Sequence, residues 1–307
     1  MKQRECILSV EDLVIAFNMY DRGFKKKDLE VIHQLSLEVH AGEIVAVVGS
    51  SGSGKSLLAH AILHLLPKNA KASGKITYKG QPLDAKGCHK VLGKEIAFIP
   101  QSVDYLDPLM KVGKQVKGTF FTQENVQQIF KRYDLSLETM EKYPFQLSGG
   151  MARRVLIASA VIQNPELIIA DEPTPGLNVE MAMEVLKHFR QLADHGTAVL
   201  MITHDIDLAL HVADKIAVFY AGTIVENASK ADFLAGKEAL RHPYSQAFLE
   251  ALPQNAFKPL PGTQPYAGNL PSGCLFAERC RYCTEGCAGE IQMRTVRDGK
   301  VRCIHAT

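Results

Sequence analysis

The chain has 307 residues, 46% hydrophobic and 22% charged, an ordinary globular composition with apolar material for one large core and a smaller appendage. A formal net charge of +2 is too mild to imply a nucleic-acid or lipid surface, and no apolar run approaches the ~18 residues of a membrane-spanning helix. The start, MKQRECILSVEDL, has no sustained apolar segment and no small-residue cleavage site, so the cytoplasm is the expected compartment.

The basic run Phe24-Lys25-Lys26-Lys27 reads as a solvated loop. VIHQLSLEV, residues 31–39, places Val31, Leu35, Leu37 and Val39 at the period of a half-buried strand. EIVAVVG follows as a continuous apolar run, which suits a strand buried on both faces. KSLLAHAILHLLP has helical composition and is expected to end at Pro67. His60 and His64, one turn apart in it, read as surface or packed positions before they read as a metal pair. Between about residues 101 and 160 the buried-strand signal gives way to helical, polar sequence, predicting an inserted helical subdomain. Within it QLSGGMARR opens a helix whose first amides would be unpaired, a ready anion site at Ser148, Gly149 and Gly150.

ELIIAD is a second buried strand, VEMAMEVLKHFRQLADHG a helix closed by Gly196, and TAVLMIT a third buried strand. Strand, helix and strand in repetition predict a mostly parallel α/β sheet. From about residue 254 proline and glycine rise in PQNAFKPLPGTQPYAGNLPSG, dividing residues 1–253 from a linker and tail at 254–307. Of seven cysteines, Cys6 and Cys88 stand alone, while Cys274, Cys280, Cys283, Cys287 and Cys303 crowd the tail. In a reducing compartment such crowding reads as a metal site before disulfides.

The chemistry starts at residue 49. Gly49-Ser50-Ser51-Gly52-Ser53-Gly54-Lys55-Ser56 fits the phosphate-loop pattern G-x-x-x-x-G-K followed by Ser or Thr, after a buried strand and before a helix. Its glycines turn backbone amides toward phosphate oxygens, Lys55 would reach the β and γ phosphates, and Ser56 would bind Mg²⁺. LIIADE ends in Asp171 and Glu172. Successive side chains at a strand end point to opposite sides, so Asp171 can serve the metal while Glu172 faces an attacking water.

These motifs, taken with LSGG, resemble the ATP-binding cassette (ABC) family of transporter ATPases across most of residues 7–226. The resemblance implies an α/β phosphate-loop fold with a mostly parallel core sheet, an antiparallel β portion and an inserted helical subdomain, carrying here a small cysteine-rich extension. It implies head-to-tail dimers in which Ser148, Gly149 and Gly150 contact the γ phosphate held by the opposite subunit. Gln101 in IPQSVDYLDP would sense the metal, and His204 in MITHD would contact the γ phosphate. Among Phe17, Tyr20 and Phe24, Phe17 is favoured as the aromatic that stacks on adenine.

RHPYSQAFLEALP with LPSGCLFAERC, and YLDPLMKVGKQV, resemble the narrower group of dipeptide, oligopeptide and nickel importer ATPases. That resemblance implies import of peptides or nickel and metal chelates at the cytoplasmic face of the membrane. The implied partners are a second related ATPase, two permeases and an extracytoplasmic solute-binding protein, with no nucleic acid. It further favours an iron-sulfur cluster on Cys274, Cys280, Cys287 and Cys303. Four thiolates suit a 4Fe-4S cluster or tetrahedral zinc, and free thiols or a disulfide stay open. Two positions depart from the family pattern: Met151 stands where glutamine is usual and Asn178 where aspartate is usual. Two rival readings are a soluble ABC ATPase acting on nucleic acid and a largely nonhydrolytic regulatory subunit.

Overall fold

Two sheets share the core of the computed structural model, which describes residues 4–20, 26–50 and 52–307. Strand β1 (Cys6–Tyr20) pairs antiparallel with β2 (Lys26–His40), whose second half is the strand expected at 31–39. Its other edge pairs with β4 (Ala70–Tyr78), and β5 (Gln81–Pro82) completes this four-stranded antiparallel sheet.

The second sheet has eight strands. Its parallel part runs in spatial order through β9 (Lys215–Tyr220), β3 (Ile44–Val48), β8 (Ala198–Thr203), β7 (Leu167–Asp171) and β6 (Ile96–Ile99). All five residues of β3 are fully buried, as the apolar run EIVAVVG predicts. Ile44, Ala46 and Val48 face one cluster, with helices α5 (Gly149–Val161) and α6 (Val179–Asp194). Val45 and Val47 face another, between α1 (Lys55–Ile62) and the antiparallel sheet.

Helix α1 stops at Ile62, five residues before the expected end at Pro67. His64 adopts a left-handed φ of 54°, which closes the helix, and its ring Nε2 lies 2.7 Å from the Leu83 carbonyl. His60 instead meets the edge of Phe98, so the two rings serve different packing contacts. Between β6 and β7 the described residues are helical or irregular, with α3 (Val112–Lys117), α4 (Gln123–Arg132) and α5 joined by short turns. A Thr122–Asn125 capping box starts α4, which buries Val126 and Phe130.

Beyond β9, β10 (Thr223–Ser229) turns antiparallel, and the hairpin β11 (Arg294–Val296) and β12 (Gly299–Val301) extends the sheet with Val301 opposite Glu226. The cysteine-rich tail therefore supplies two strands to the core sheet.

Two buried histidines give the fold an acid sensitivity. Burial lowers His188, beside Tyr133 and helped by the Arg132 charge, to about 4, and lowers His242 to about 3. Both rings fold neutral, and their unfolded forms take a proton near 6.5. Stability is therefore complete above that value and is lost progressively as pH falls from it toward the folded values. Between pH 7 and 5 each ring should cost about 2 kcal/mol. Thermal melts across that range check this, and an unchanged midpoint would contradict it.

Candidate functional site

Four adjacent parallel strands end at the same edge of the sheet, where ligands bind in α/β folds. The phosphate loop leaves β3, His204 follows β8, Asp171 ends β7 with Glu172 next, and Gln101 follows β6. Residues scattered over 155 positions, from 49 to 204, thereby reach one edge.

In the phosphate loop Gly52 and Gly54 take left-handed φ values of 73° and 97°, which glycine adopts without steric cost. Gly54 is the N-cap of α1 and offers no side chain to its amides, leaving the first turn free for an anion. Lys55 is buried, and its Nζ donates to the carbonyls of Gly49 and Ser50 at 2.9 and 2.8 Å. Burial lowers its pKa, an effect that Glu172 and Asp171 oppose. Ser53 Oγ is buried without a partner, and Ser56 Oγ donates to Asp171 Oδ1 at 3.1 Å. An orphaned hydroxyl, an uncapped helix start and a serine-aspartate oxygen pair fit a nucleotide phosphate with Mg²⁺. Ser51 lies outside the described residues.

Gly49 is required by space. A Cβ there would lie 2.5 Å from the Phe219 carbonyl oxygen on β9. Gly49→Ala should cost about 1–3 kcal/mol of stability and weaken ATP binding about tenfold as the loop amides move off the phosphates. Melting and nucleotide titration of the variant test both, and unaltered ATP affinity would contradict the loop's placement.

Glu172 is 7% exposed and holds a left-handed φ of 49°, a costly conformation for a non-glycine residue and one that recurs at functional sites. Its Oε1 meets His204 Nδ1 at 2.9 Å. Oε2 lies at the same distance, but at an angle that leaves it without a hydrogen bond. Asp171 is more deeply buried, and desolvation raises its pKa while the Ser56 hydroxyl opposes the rise.

Gln101 is exposed, and its backbone is held from a direction the sequence did not signal. Arg153 of α5 is buried and donates to the carbonyl of Pro100 at 2.6 Å and to that of Gln101. The helix opened by LSGG is thus tied to the glutamine loop.

The LSGG start faces outward. Ser148 caps α5, its hydroxyl accepting the Met151 amide at 3.3 Å, while the Gly149 and Gly150 amides have no protein partner among the described residues. A Cβ at Gly149 would meet nothing within 4 Å, whereas one at Gly150 would come within 3.1 Å of the Gly176 carbonyl. Met151 packs half-buried against the core. Asn178 caps α6, accepting the Met181 amide at 2.8 Å.

Phe17 packs half-buried against the cluster beneath the antiparallel sheet, and Tyr20 is exposed beneath the Lys26 ammonium. Phe24 lies outside the described residues. The cavity beside the phosphate loop, about 520 Å³, is lined instead by Gln264 and Tyr266 of the linker, and Ser50 Oγ donates to Gln264 Oε1 at 3.3 Å. No local pattern in the linker announced that contact.

Cys274, Cys280, Cys287 and Cys303 are free, and among the described residues no three His, Cys, Asp or Glu side chains converge to hold a metal ion. Cys287 Sγ faces His305 Nε2 at 3.4 Å, and burial, with the neighbouring Cys287, Cys303 and Cys280, pushes the Cys274 thiol up to about 11.

Residues 32–175 match the family model described as ABC transporter, and residues 225–287 that described as oligopeptide/dipeptide transporter, C-terminal region. The oligopeptide transport ATP-binding protein OppD of Bacillus subtilis is 35% identical, the match covering 90% of this chain and 82% of OppD. The dipeptide transport ATP-binding protein DppD of Escherichia coli is 34% identical over 97% of this chain and 96% of DppD. Among solved structures, a dimeric ATP-binding cassette in a post-hydrolysis state bound to ADP and phosphate superposes with a TM-score of 0.65, covering 73% of this chain and 99% of that one at 24% identity, a likeness of fold. No described helix is long and apolar enough to cross a membrane. The site at the sheet edge and these relatives agree, and the chain belongs to the ATP-binding, ATP-hydrolysing subunits of ABC transporters.

Proposed function

We propose that the chain is one of two related ATPases that drive peptide import from the cytoplasmic face of a membrane, through two permeases fed by an extracytoplasmic solute-binding protein. One observation carries the reading: the chain has a complete phosphate loop and acidic strand end, yet its second anion-binding helix start, at Ser148, is exposed and unused within the chain. Such a start is suited to complete the ATP site of a partner. Relatives named for oligopeptide and dipeptide transport make peptides, before nickel, the cargo.

In this reading the Gly49–Ser56 loop and α1 amides hold the triphosphate, Lys55 reaches its β and γ phosphates, and Ser56, Asp171 and Gln101 hold Mg²⁺. Bound Mg²⁺ neutralises charge on the phosphates as the phosphoryl group transfers. Glu172 orients or deprotonates the attacking water, and His204 steadies its carboxylate and contacts the γ phosphate. Phe17 or Tyr266 supplies the adenine platform. Closure of two cassettes around ATP and reopening after hydrolysis supply the motion that permeases convert into alternating access.

The two composite sites should be unequal. Met151 and Asn178 replace polar groups on the surface offered to the partner, and a lost bond to a charged group costs about 1.5–3 kcal/mol, roughly ten- to a hundredfold in rate. Met151→Gln with Asn178→Asp should therefore speed the slow site about tenfold or more and raise turnover of the assembled transporter about twofold. Unchanged turnover would sink the asymmetry.

Affinity purification of the tagged chain from gently solubilised membranes, with mass spectrometry of its stoichiometric partners, tests the whole assignment. A related ATPase, two permeases and a peptide-binding protein are expected. Recovery from the soluble fraction, alone or with nucleic acid, would overturn it.

A further inference from the structure

We infer that the tail closes a binding site for a small carboxylate with an apolar body, separate from the nucleotide pocket. A cavity of about 370 Å³ lies where β2, β10 and the tail meet, within the size range of small-molecule sites. Val225, Leu275, Phe276 and Ile291 give it an apolar wall.

The polar part of the lining is unfinished. Thr223 is 3% exposed, and its Oγ1 has no hydrogen-bond partner. His33 Nε2 and Arg302 Nε, on two further lining residues, are also buried and unpartnered. Both outer nitrogens of Arg302 are spent on neutral carbonyls, Gln34 at 2.9 Å and Ile291 at 3.1 Å. The carboxylates that act on Arg302, those of Asp12 and of Glu290 in the lining, form no direct ion pair with it among the described residues. A half-buried guanidinium without a directly paired counter-ion is costly, and an anion in the cavity lowers that cost. His242 adds a donor: its Nδ1 accepts the Tyr244 amide at 3.0 Å, which leaves the proton on Nε2.

Buried polar atoms are nearly always satisfied, so the two orphan donors of Thr223 and Arg302 at one cavity mark a place built for a missing group, whereas His33 Nδ1 already meets Glu30 Oε1 at 2.7 Å. A guanidinium, a hydroxyl and an imidazole N–H recognise a carboxylate, and the facing wall takes a branched aliphatic chain. A phosphate ester would leave that wall uncovered. Leu270 is common to this cavity and to the one beside the phosphate loop, which places the two ligands on either side of a single residue.

Calorimetric titration of the full chain with 4-methylpentanoate, L-leucine and L-leucinamide tests the site. Saturable binding of at least one of the two carboxylates is expected, with no binding of the amide at about 10 mM. Thr223→Val, nearly isosteric, and Arg302→Gln should each weaken that binding about tenfold or more while ATP binding is kept. Three results would overturn the proposal: no carboxylate binding to a sample that binds ATP, leucinamide binding as tightly, or affinity unchanged in Thr223→Val.

Discussion

Replacing Glu172 by glutamine is expected to lower ATP turnover about 10²–10⁴-fold, the range for loss of a positioned base, with ATP affinity nearly unchanged. The two effects separate because different groups carry them. In the proposed site phosphate binding rests on the loop amides, on Lys55 and on the Ser56–Asp171 pair, none of which Glu172 hydrogen-bonds. Glutamine keeps the volume of a 7% exposed side chain and keeps an oxygen for the His204 ring, so local geometry should survive. What it lacks is a carboxylate able to take a proton or pull on a water. Since hydrolysis is the step that reopens the proposed dimer, the variant should accumulate as a closed dimer with Mg-ATP and remain monomeric with Mg-ADP. Light scattering coupled to gel filtration reads this directly. Wild-type hydrolysis by Glu172→Gln would remove Glu172 from its role, whereas slow hydrolysis without dimerisation would place the defect in partner recognition.

Much of this site is local, and local features are legible in sequence. EIVAVVG is apolar at every inner position, and β3 is buried on both faces for that reason. The phosphate loop needs glycine where φ is positive, and Gly52 and Gly54 stand there. The acidic strand end works the same way, since the register of β7 beside β8 brings Asp171 opposite Ile202, one residue before the end of β8. Non-local features were not legible. Helix α1 ends early because the His64 ring meets the Leu83 carbonyl, a contact from another element that outweighs the helical composition of the residues before Pro67. QLSGGMARR ends in two arginines, and only packing decides that Arg153 turns inward to hold the glutamine loop while Arg154 reaches the carbonyls of Tyr133 and Asp134. Proline and glycine marked residues 254–273 as irregular, but composition carries no record that Gln264 crosses to Ser50 or that Val301 pairs with Glu226. Cysteine spacing likewise fixes separation along the chain and not in space, which is why metal, disulfide and free-thiol readings stayed open together.

The tail's attachment suggests a large stability effect, at Glu226. This carboxylate is fully buried on β10, with β9 on one side and β12 on the other. Its Oε1 accepts the Arg241 amide at 2.8 Å, its Oε2 accepts the His242 amide at 2.9 Å, and the Arg241 guanidinium lies 3.5 Å away. Arg241, 4% exposed, also donates to Asp232 at 3.1 Å and to the carbonyls of Val296 and Arg297 in the β11–β12 turn. One acid thus holds the chain that leads into α9 (Pro243–Glu250), and its arginine holds the hairpin that the tail adds to the sheet. Glu226→Ala leaves two buried amides without acceptors and a guanidinium with Asp232 as its one remaining carboxylate, the situation in which breaking a buried pair costs about 3–5 kcal/mol. In a domain of this size that corresponds to a melting point lower by roughly 10 °C. Glu226→Gln keeps one acceptor oxygen and should lose about half as much. The location of the damage distinguishes this network from general core loss. Amide exchange should accelerate first at Gly299–Val301 and around Arg241, while β3 and β8 stay protected and ATP still binds. A melting point within 2 °C of wild type, or equal loss of protection in β3, would mean that the β10–β12 pairing and the apolar contacts of Val301 hold the tail without help from this ion pair.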